Sequence, residues 1–317
     1  MTRAIVFAYH DVGCRCLQVL LAHGVEVPLV LTHEDVPGEA IWFDSVAALA
    51  GRHDIPIITP EDPNEPAVVE RIRRLEPDFL FSFYYRRMLQ PALLEVPRRG
   101  ALNMHGSLLP KYRGRVPVNW AVIRGETETG ASLHYMTAKP DQGNLVDQMA
   151  VPILPDDRAL DVFRKVTVAA ELVLHRSLPR LVAGTAPSVP QDLAAGSYFG
   201  GRRPEDGRID WSQPARSIHD LVRGVAPPYP GAFCTHAGHR LRVLATVRIA
   251  APTAAVGHPA LHFIGEHCCV ECGDGSWLRL AAVELDGAPA DVSTLAQTLG
   301  RGPLPLLTEN NPPPTRA

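Results

Sequence analysis

Between residues 4 and 105 the chain alternates short apolar runs with amphipathic stretches, and this alternation constrains the fold more than any other feature. Ala4–Tyr9, Val25–Thr32, Pro56–Ile58, Asp78–Phe83 and Gly100–His105 are brief and rich in Ile, Val, Leu and Phe, as buried strands are. Between them lie helical stretches: one starts near Asp11 and Gly13 and continues through Leu17–His23 to Gly24, and others cover Trp42–His53 and Glu65–Leu75. This order predicts an α/β fold with a Rossmann-like, mostly parallel sheet and helices on both faces. Further on, Val118–Ile123 reads as a helix and Ala131–Met136 as a strand. Asp156–Val182 reads as a long helix carrying Leu160, Phe163, Val166 and Ala170 on one stripe.

The second half changes character. Gly184–Asp206 is rich in Gly, Pro and Ser. Ser217–Val225 reads as a short helix, and from Gly231 the chain is strand-rich with frequent glycines, which predicts a small β-rich domain of barrel or OB-like form. The expected division is a catalytic domain over 1–190, a linker over 191–205, the β-rich domain over 206–307 and a disordered tail over 308–317.

Several function classes fall away on composition. Hydrophobic residues make up 46% of the 317 and charged residues 21%, a globular balance. No apolar run approaches the roughly 20 residues of a membrane span, and the N-terminus has no export signal, so a cytoplasmic protein without membrane insertion is expected. The first turn, Tyr9-His10-Asp11-Val12-Gly13, lacks the G-x-G-x-x-G needed for close approach to a pyrophosphate, which argues against a dehydrogenase. His267, Cys268, Cys269 and Cys272 crowd one strand, but adjacent strand residues point to opposite faces and no second pair follows, so no metal is expected. The formal net charge of −3 argues against a nucleic-acid partner.

The chemistry concentrates in residues 101–148. Asn103 and His105 end a strand and share one side of it, because strand side chains repeat every two residues. Binding sites of open parallel sheets gather beyond such ends. The loop Ser107–Pro117 that follows carries Lys111, Arg113, Gly114 and Arg115, and a Pro140-Asp141-Gln142-Gly143 turn comes after the next strand. His134 and His10 taken alone read as packed side chains, and Arg202 and Arg203 as possible phosphate partners.

The pattern N-x-H-x-S-L-L-P-x-Y-R-G, followed by E-T-G and by Asp141-x-Gly143, resembles the 10-formyltetrahydrofolate-dependent formyltransferase family. The similarity extends from FAYHDVGC through THEDVPGE and FSFYYRRML to RRPEDGRIDW, PYPGAF and LAQTLG. It is nearest to the branch that formylates UDP-4-amino-4-deoxy-L-arabinose for lipid A modification. The resemblance implies 10-formyltetrahydrofolate as formyl-donor cosubstrate and Asn103, His105 and Asp141 as catalytic residues. Asn103 would donate to the developing oxyanion, His105 would move protons, and Asp141 would orient the imidazole and favour its charged form. It also implies a folate pocket lined by Arg87, Met88, Leu89, Arg115, Thr137, Ala138, Lys139, Pro140 and Asp141. In many relatives of that branch a decarboxylating dehydrogenase domain follows, so only the formyl-transfer half is expected here.

The folate and a nucleotide-sugar are thus the expected partners. Two other readings share the motif. A relative acting on methionyl-tRNA would need a basic surface, yet residues 205–317 hold 9 Arg and no Lys against 11 Asp and Glu, and the loop His33–Glu39 is acidic. A formyltetrahydrofolate hydrolase or folate-binding protein would keep the pocket; a merely binding protein is expected to lose the catalytic trio, which is intact here.

Overall fold

A computed structural model of the chain describes residues 1–35, 38, 40–252 and 255–306. The tail expected over 308–317 lies outside the described residues, as do three positions of the acidic loop, 36, 37 and 39. Up to residue 105 the elements follow the predicted alternation, with one short helix, α4, added to it: β1 (Arg3–Ala8), α1 (His10–Ala22), β2 (Glu26–Leu31), α2 (Val46–Gly51), β3 (Ile57–Ile58), α3 (Pro66–Arg74), β4 (Phe79–Phe83), α4 (Pro91–Leu94) and β5 (Ala101–His105). There follow β6 (Arg113–Gly114), α5 (Pro117–Ile123), β7 (Glu128–Tyr135), β8 (Leu145–Pro152), α6 (Ala159–Ala183) and β9 (Tyr198–Phe199).

The chain divides into two compact units. The first comprises Met1–Pro117, Glu128–Pro152 and Phe163–Phe199. Its main sheet runs β3-β2-β1-β4-β5-β7-β8. The first five strands are parallel, and β7 and β8 complete the sheet in antiparallel pairing. Strand order reverses beside β1, where β4 pairs on the side opposite β2. Right-handed crossovers on the two sides of that reversal place helices on both faces. Ile5 and Phe7 share a core cluster with Val69 and Ile72 of α3, while Gly13 of α1 packs on Ala8, the opposite parity of β1. Phe7, Phe79, Phe81 and Phe83 are fully buried, each stabilising the fold by roughly 1.5–3 kcal/mol through burial.

Two local expectations are corrected. The helix predicted over Trp42–His53 begins only at Val46, because the Ser45 side chain accepts a hydrogen bond from Ala48 N–H and caps it there. Trp42 and Phe43 precede it. Residues 191–199, read as linker from their composition, belong to the first unit, since β9 pairs with β6 and Val189 bridges to Leu145.

The second unit comprises Val118–Thr127, Ile153–Val162 and the chain from Gly200 onward. It contains α7 (Ala215–Val225), β10 (Ala232–His236), β11 (His239–Ile249), β12 (Ala260–Ile264), β13 (His267–Glu271), β14 (Trp277–Leu285), β15 (Ala288–Pro289), α8 (Val292–Leu299) and β16 (Leu304–Pro305). The strands form an antiparallel sheet in the order β10-β11-β14-β13-β12-β16, with β15 beside β14. This is the predicted β-rich domain in open, half-barrel form. Ala215, Ile218, Val222 and Val225 bury one face of α7 in its core at helical spacing. Cys234, Cys268 and Cys272 belong to that core, and burial pushes the Cys268 and Cys272 thiols up to about 12. Among the described residues no three His, Cys, Asp or Glu are placed to hold a metal ion, and no helix is long and apolar enough to cross a membrane.

Candidate active site

Strands β1, β4 and β5 end together beside the strand-order reversal, the position where open α/β sheets bind ligands. Four polar side chains of the first unit converge at the end of β5. His105 Nδ1 lies 3.5 Å from Asp141 Oδ1. Asn103 Nδ2 lies 3.4 Å from the same oxygen. His134 Nε2 approaches it to 3.4 Å. The structure therefore brings the sequence-derived trio together and adds His134 to it.

The fourth member arrives by register. β7 runs antiparallel to β5, so His134 stands directly opposite Asn103, and Ser132 opposite His105. The Tyr135 carbonyl accepts a hydrogen bond from His134 Nδ1–H at 2.8 Å, which leaves Nε2 to accept from Asn103 Nδ2 at 3.2 Å. Both amide protons of Asn103 thus point at His134 and Asp141. This orientation of the amide is the one that avoids placing its oxygen against a carboxylate. The Tyr112 carbonyl accepts from His105 Nε2–H at 2.8 Å, turning Nδ1 toward Asp141.

Asp141 is the hub. Its carboxyl is held well below the usual carboxylate range although burial pushes it up, because the charge of His105 and the Gly114 N–H favour the ionised form. The Gly114 bond to Oδ2 measures 2.8 Å. Gly114 has φ +97°, and a Cβ there would run into the Phe199 carbonyl, so only glycine brings this N–H to the carboxylate. Ser132 fixes the loop that follows His105: its hydroxyl donates to Ser107 O at 2.6 Å and accepts from Leu109 N–H at 3.1 Å.

The other expected ligand residues are spread more widely. Arg87 and Met88 are exposed on the loop after β4, Met88 at 55%, whereas the Leu89 side chain is buried in the core. Asn64 holds that loop, donating to Met88 O at 3.0 Å and accepting from Gln90 N–H at 2.8 Å. His33 accepts from Arg86 N–H at 3.0 Å and stacks on Tyr85 at 4.1 Å. Burial, with the charges of Arg86 and Arg87, lowers its pKa to about 4. Thr137, Ala138 and Lys139 form an exposed turn leading through Pro140 into Asp141, and the Thr137 hydroxyl donates to Lys139 O at 2.9 Å. Arg115 is exposed at the end of the glycine loop.

Sequence reasoning missed an aromatic wall at the ends of β1 and β4. His10 stacks on Phe43 at 3.9 Å and meets Trp42 edge-on at 4.5 Å and Phe163 at 4.6 Å. Phe163 in turn meets Tyr84 at 5.7 Å. The Tyr84 hydroxyl fills the space that a Cβ on Gly106 would need, beside His105. The rings thus run from the end of β5 out to Trp42. The signal available was the cluster His10, Trp42, Phe43, Tyr84 and Tyr85, scattered too far along the chain to be read as one surface.

Comparison with known proteins agrees with this architecture. A family model described as formyl transferase matches residues 18–178, and the formyl transferase C-terminal domain model matches residues 202–299. Among solved structures, an N-formyltransferase from Helicobacter canadensis, in complex with folinic acid and dTDP-3-aminofucose, superposes with a TM-score of 0.70 at 20% identity, over 88% of this chain and 99% of that one. WlaRD, a sugar 3N-formyl transferase determined with dTDP and 5-N-formyl-THF, gives 0.69 at 18% identity, over 88% and 97%. A sugar N-formyltransferase from Shewanella gives 0.60 at 18% identity, over 80% and 99%. Two family models that between them span both units, with β5 and the turn of Asp141 inside the first, settle the assignment: the chain belongs to the formyl transferase family.

Proposed function

We propose that the protein transfers the formyl group of 10-formyltetrahydrofolate to the amino group of a nucleotide-linked amino sugar, with UDP-4-amino-4-deoxy-L-arabinose as the acceptor. The observation that carries this reading is the convergence of Asn103, His105 and His134 on the ionised Asp141 at the end of β5. Folate compounds bound to two of the similar structures support the choice of donor, and the dTDP-3-aminofucose in one and dTDP in the other support the acceptor class. The aromatic wall adds a surface suited to the apolar faces of a sugar and a base.

The acceptor amine attacks the formyl carbon, a C–N bond forms, and the carbonyl oxygen becomes an oxyanion. Collapse breaks the bond to N10 of the folate, which takes up the proton lost by the amine. His105 stands where that proton travels: Tyr112 holds its Nε2–H, so Nδ1 is the nitrogen that changes protonation, with Asp141 beside it. Asn103 reaches the oxyanion by sharing an amide proton that now points at His134 or Asp141, over bonds of 3.2 and 3.4 Å that are long enough to be redirected. Arg87, Met88, the Leu89 backbone and residues 137–141 form the folate side; Arg115 lies at the exposed end of the glycine loop, within the same reading.

The test is a formyl-transfer assay with 10-formyltetrahydrofolate, comparing UDP-4-amino-4-deoxy-L-arabinose, dTDP-linked 3-amino sugars and methionyl-tRNA. Turnover on the arabinose nucleotide, lost in His105→Ala, is the expected result. Turnover on another amino sugar would replace the acceptor and keep the chemistry, whereas formylation of methionyl-tRNA alone would overturn the sugar reading.

A further inference from the structure

Residues 188–199 form a strap that interleaves with both loops carrying the catalytic groups. Val189 exchanges backbone hydrogen bonds with Leu145 at 2.8 and 2.9 Å, just beyond the Asp141 turn. Ser197 Oγ accepts from Tyr112 N–H at 2.9 Å, and its carbonyl accepts from Arg113 N–H. The Phe199 carbonyl accepts from Arg115 N–H at 2.9 Å. The strap thus touches the Asp141 turn at one end and the glycine loop that supplies Gly114 N–H at the other.

Gln191 is the contact at the Asp141 end. Its Nε2 donates to Asp141 O at 3.0 Å and to Gly143 O at 2.6 Å, bridging the turn across Gln142. Its Oε1 is buried and accepts nothing from the described residues. Rotating the amide by half a turn would set that oxygen against two carbonyl oxygens, so the donor orientation is dictated by the site. Asp141 needs such a clamp. Its φ is +55°, a left-handed backbone conformation that a non-glycine residue keeps only when its surroundings impose it. Gly143 is equally constrained, since a Cβ there would collide with the Tyr135 carbonyl.

We infer that Gln191 is a positioning residue for formyl transfer: by clamping the carbonyls of Asp141 and Gly143 it holds the Asp141 carboxylate against His105, His134, Asn103 and the Gly114 N–H. The inference rests on the proposed transfer reaction for its kinetic consequence, and on geometry alone for its effect on the carboxylate. Both hydrogen bonds of Gln191 go to backbone carbonyls, so its effect on turnover runs through Asp141.

Two variants that keep the size of the side chain and remove the donor, Gln191→Leu and Gln191→Glu, test it. In both, kcat is expected to fall on the order of 100-fold, as displacement of a reacting group by about an ångström does, a change far larger than any rise in KM for the formyl donor. An acceptor-independent measurement follows the Asp141 carboxyl carbon resonance against pH, assigned with Asp141→Asn. In the unmodified protein it stays that of a carboxylate down to the acid limit of the fold. In Gln191→Leu it is expected to titrate near the ordinary value of about 3.9, because the carboxylate has left its histidine and N–H partners. Unchanged titration and unchanged kcat in a folded Gln191→Leu protein would overturn the inference, and so would a rise in KM alone. A shifted titration in a protein that formylates no amino sugar would uphold the clamp and sink only the acceptor assignment.

Discussion

In the proposed transfer Asn103 and His105 serve the same reacting carbonyl in different ways, and their variants separate the two effects. Asn103→Ala removes the amide that serves the oxyanion and is expected to lower kcat by roughly 10²–10³-fold. His105→Ala removes the proton carrier, with an expected loss on the order of 10²–10⁴-fold. Because both touch Asp141, the double variant should lose much less than the product of the single losses, read from kcat of all three proteins. His33 gives a separate pH signature. Its folded pKa, about 4, lies below the unfolded value of about 6.5. Between those values the unfolded chain binds more protons, so this contribution to stability is complete above about pH 6.5 and is lost as pH falls toward 4. His33→Gln keeps an acceptor for Arg86 N–H without the titration. Thermal melts of the two proteins at pH 7 and pH 5 should show the smaller drop in the variant. At this scale the sequence carried Asn103 and His105, because a two-residue spacing on a strand needs no tertiary information. His134 was hidden, since its partner depends on β7 running antiparallel in one register, which no local pattern specifies.

Among the elements, the shortest ones carry the most constraint. β6 and β9 pair over two residues each, yet they join the glycine loop to the strap and place Gly114 N–H on Asp141. Gly114→Ala combines a left-handed backbone angle with a clash against the Phe199 carbonyl. It is expected to cost on the order of 1–3 kcal/mol of stability and to depress kcat further, through the displaced N–H. Melting temperature and kcat measured on the same preparation check both effects; a fully active, equally stable variant would show that the loop accommodates a Cβ. The parallel strands up to β5 and the helices other than the four-residue α4 were legible because burial imposes runs and stripes. β8 was not foreseen: five of its eight residues are only partly buried and two are exposed, so its pattern resembles a surface loop. The start of α2 was misplaced because Trp42 and Phe43 extend its apolar pattern upstream, while the Ser45 cap and the aromatic wall remove them from the helix.

Across the whole molecule, composition located the two kinds of architecture but could not locate their borders. A Gly-, Pro- and Ser-rich stretch over 184–206 looks like a linker, although its first part is bound into the catalytic frame. More consequentially, the second unit is discontinuous in sequence. Val118–Thr127 and Ile153–Val162 belong to it, far upstream of Gly200. Ile123 packs against Gly224 and the core around α7, Asn119 Nδ2 donates to Gly224 O at 2.9 Å, and His219 reaches back to Pro155 O at 3.1 Å. Arg223 pairs with Asp220 at 2.8 Å and donates to Asp157 O at 2.9 Å, all of it within that unit. A fragment ending at residue 199 therefore strips two early segments of the unit they belong to, and leaves Ile123 and Asn119 without their partners on α7. It is expected to lack a cooperative thermal transition and to bind an apolar dye, although it contains Asn103, His105, His134, Asp141 and Gln191. Supplying residues 200–317 as a second polypeptide should restore the transition in proportion to its concentration. A fragment 1–199 that melts cooperatively by itself would mean that the early segments find other partners, and that the first unit carries its own stability.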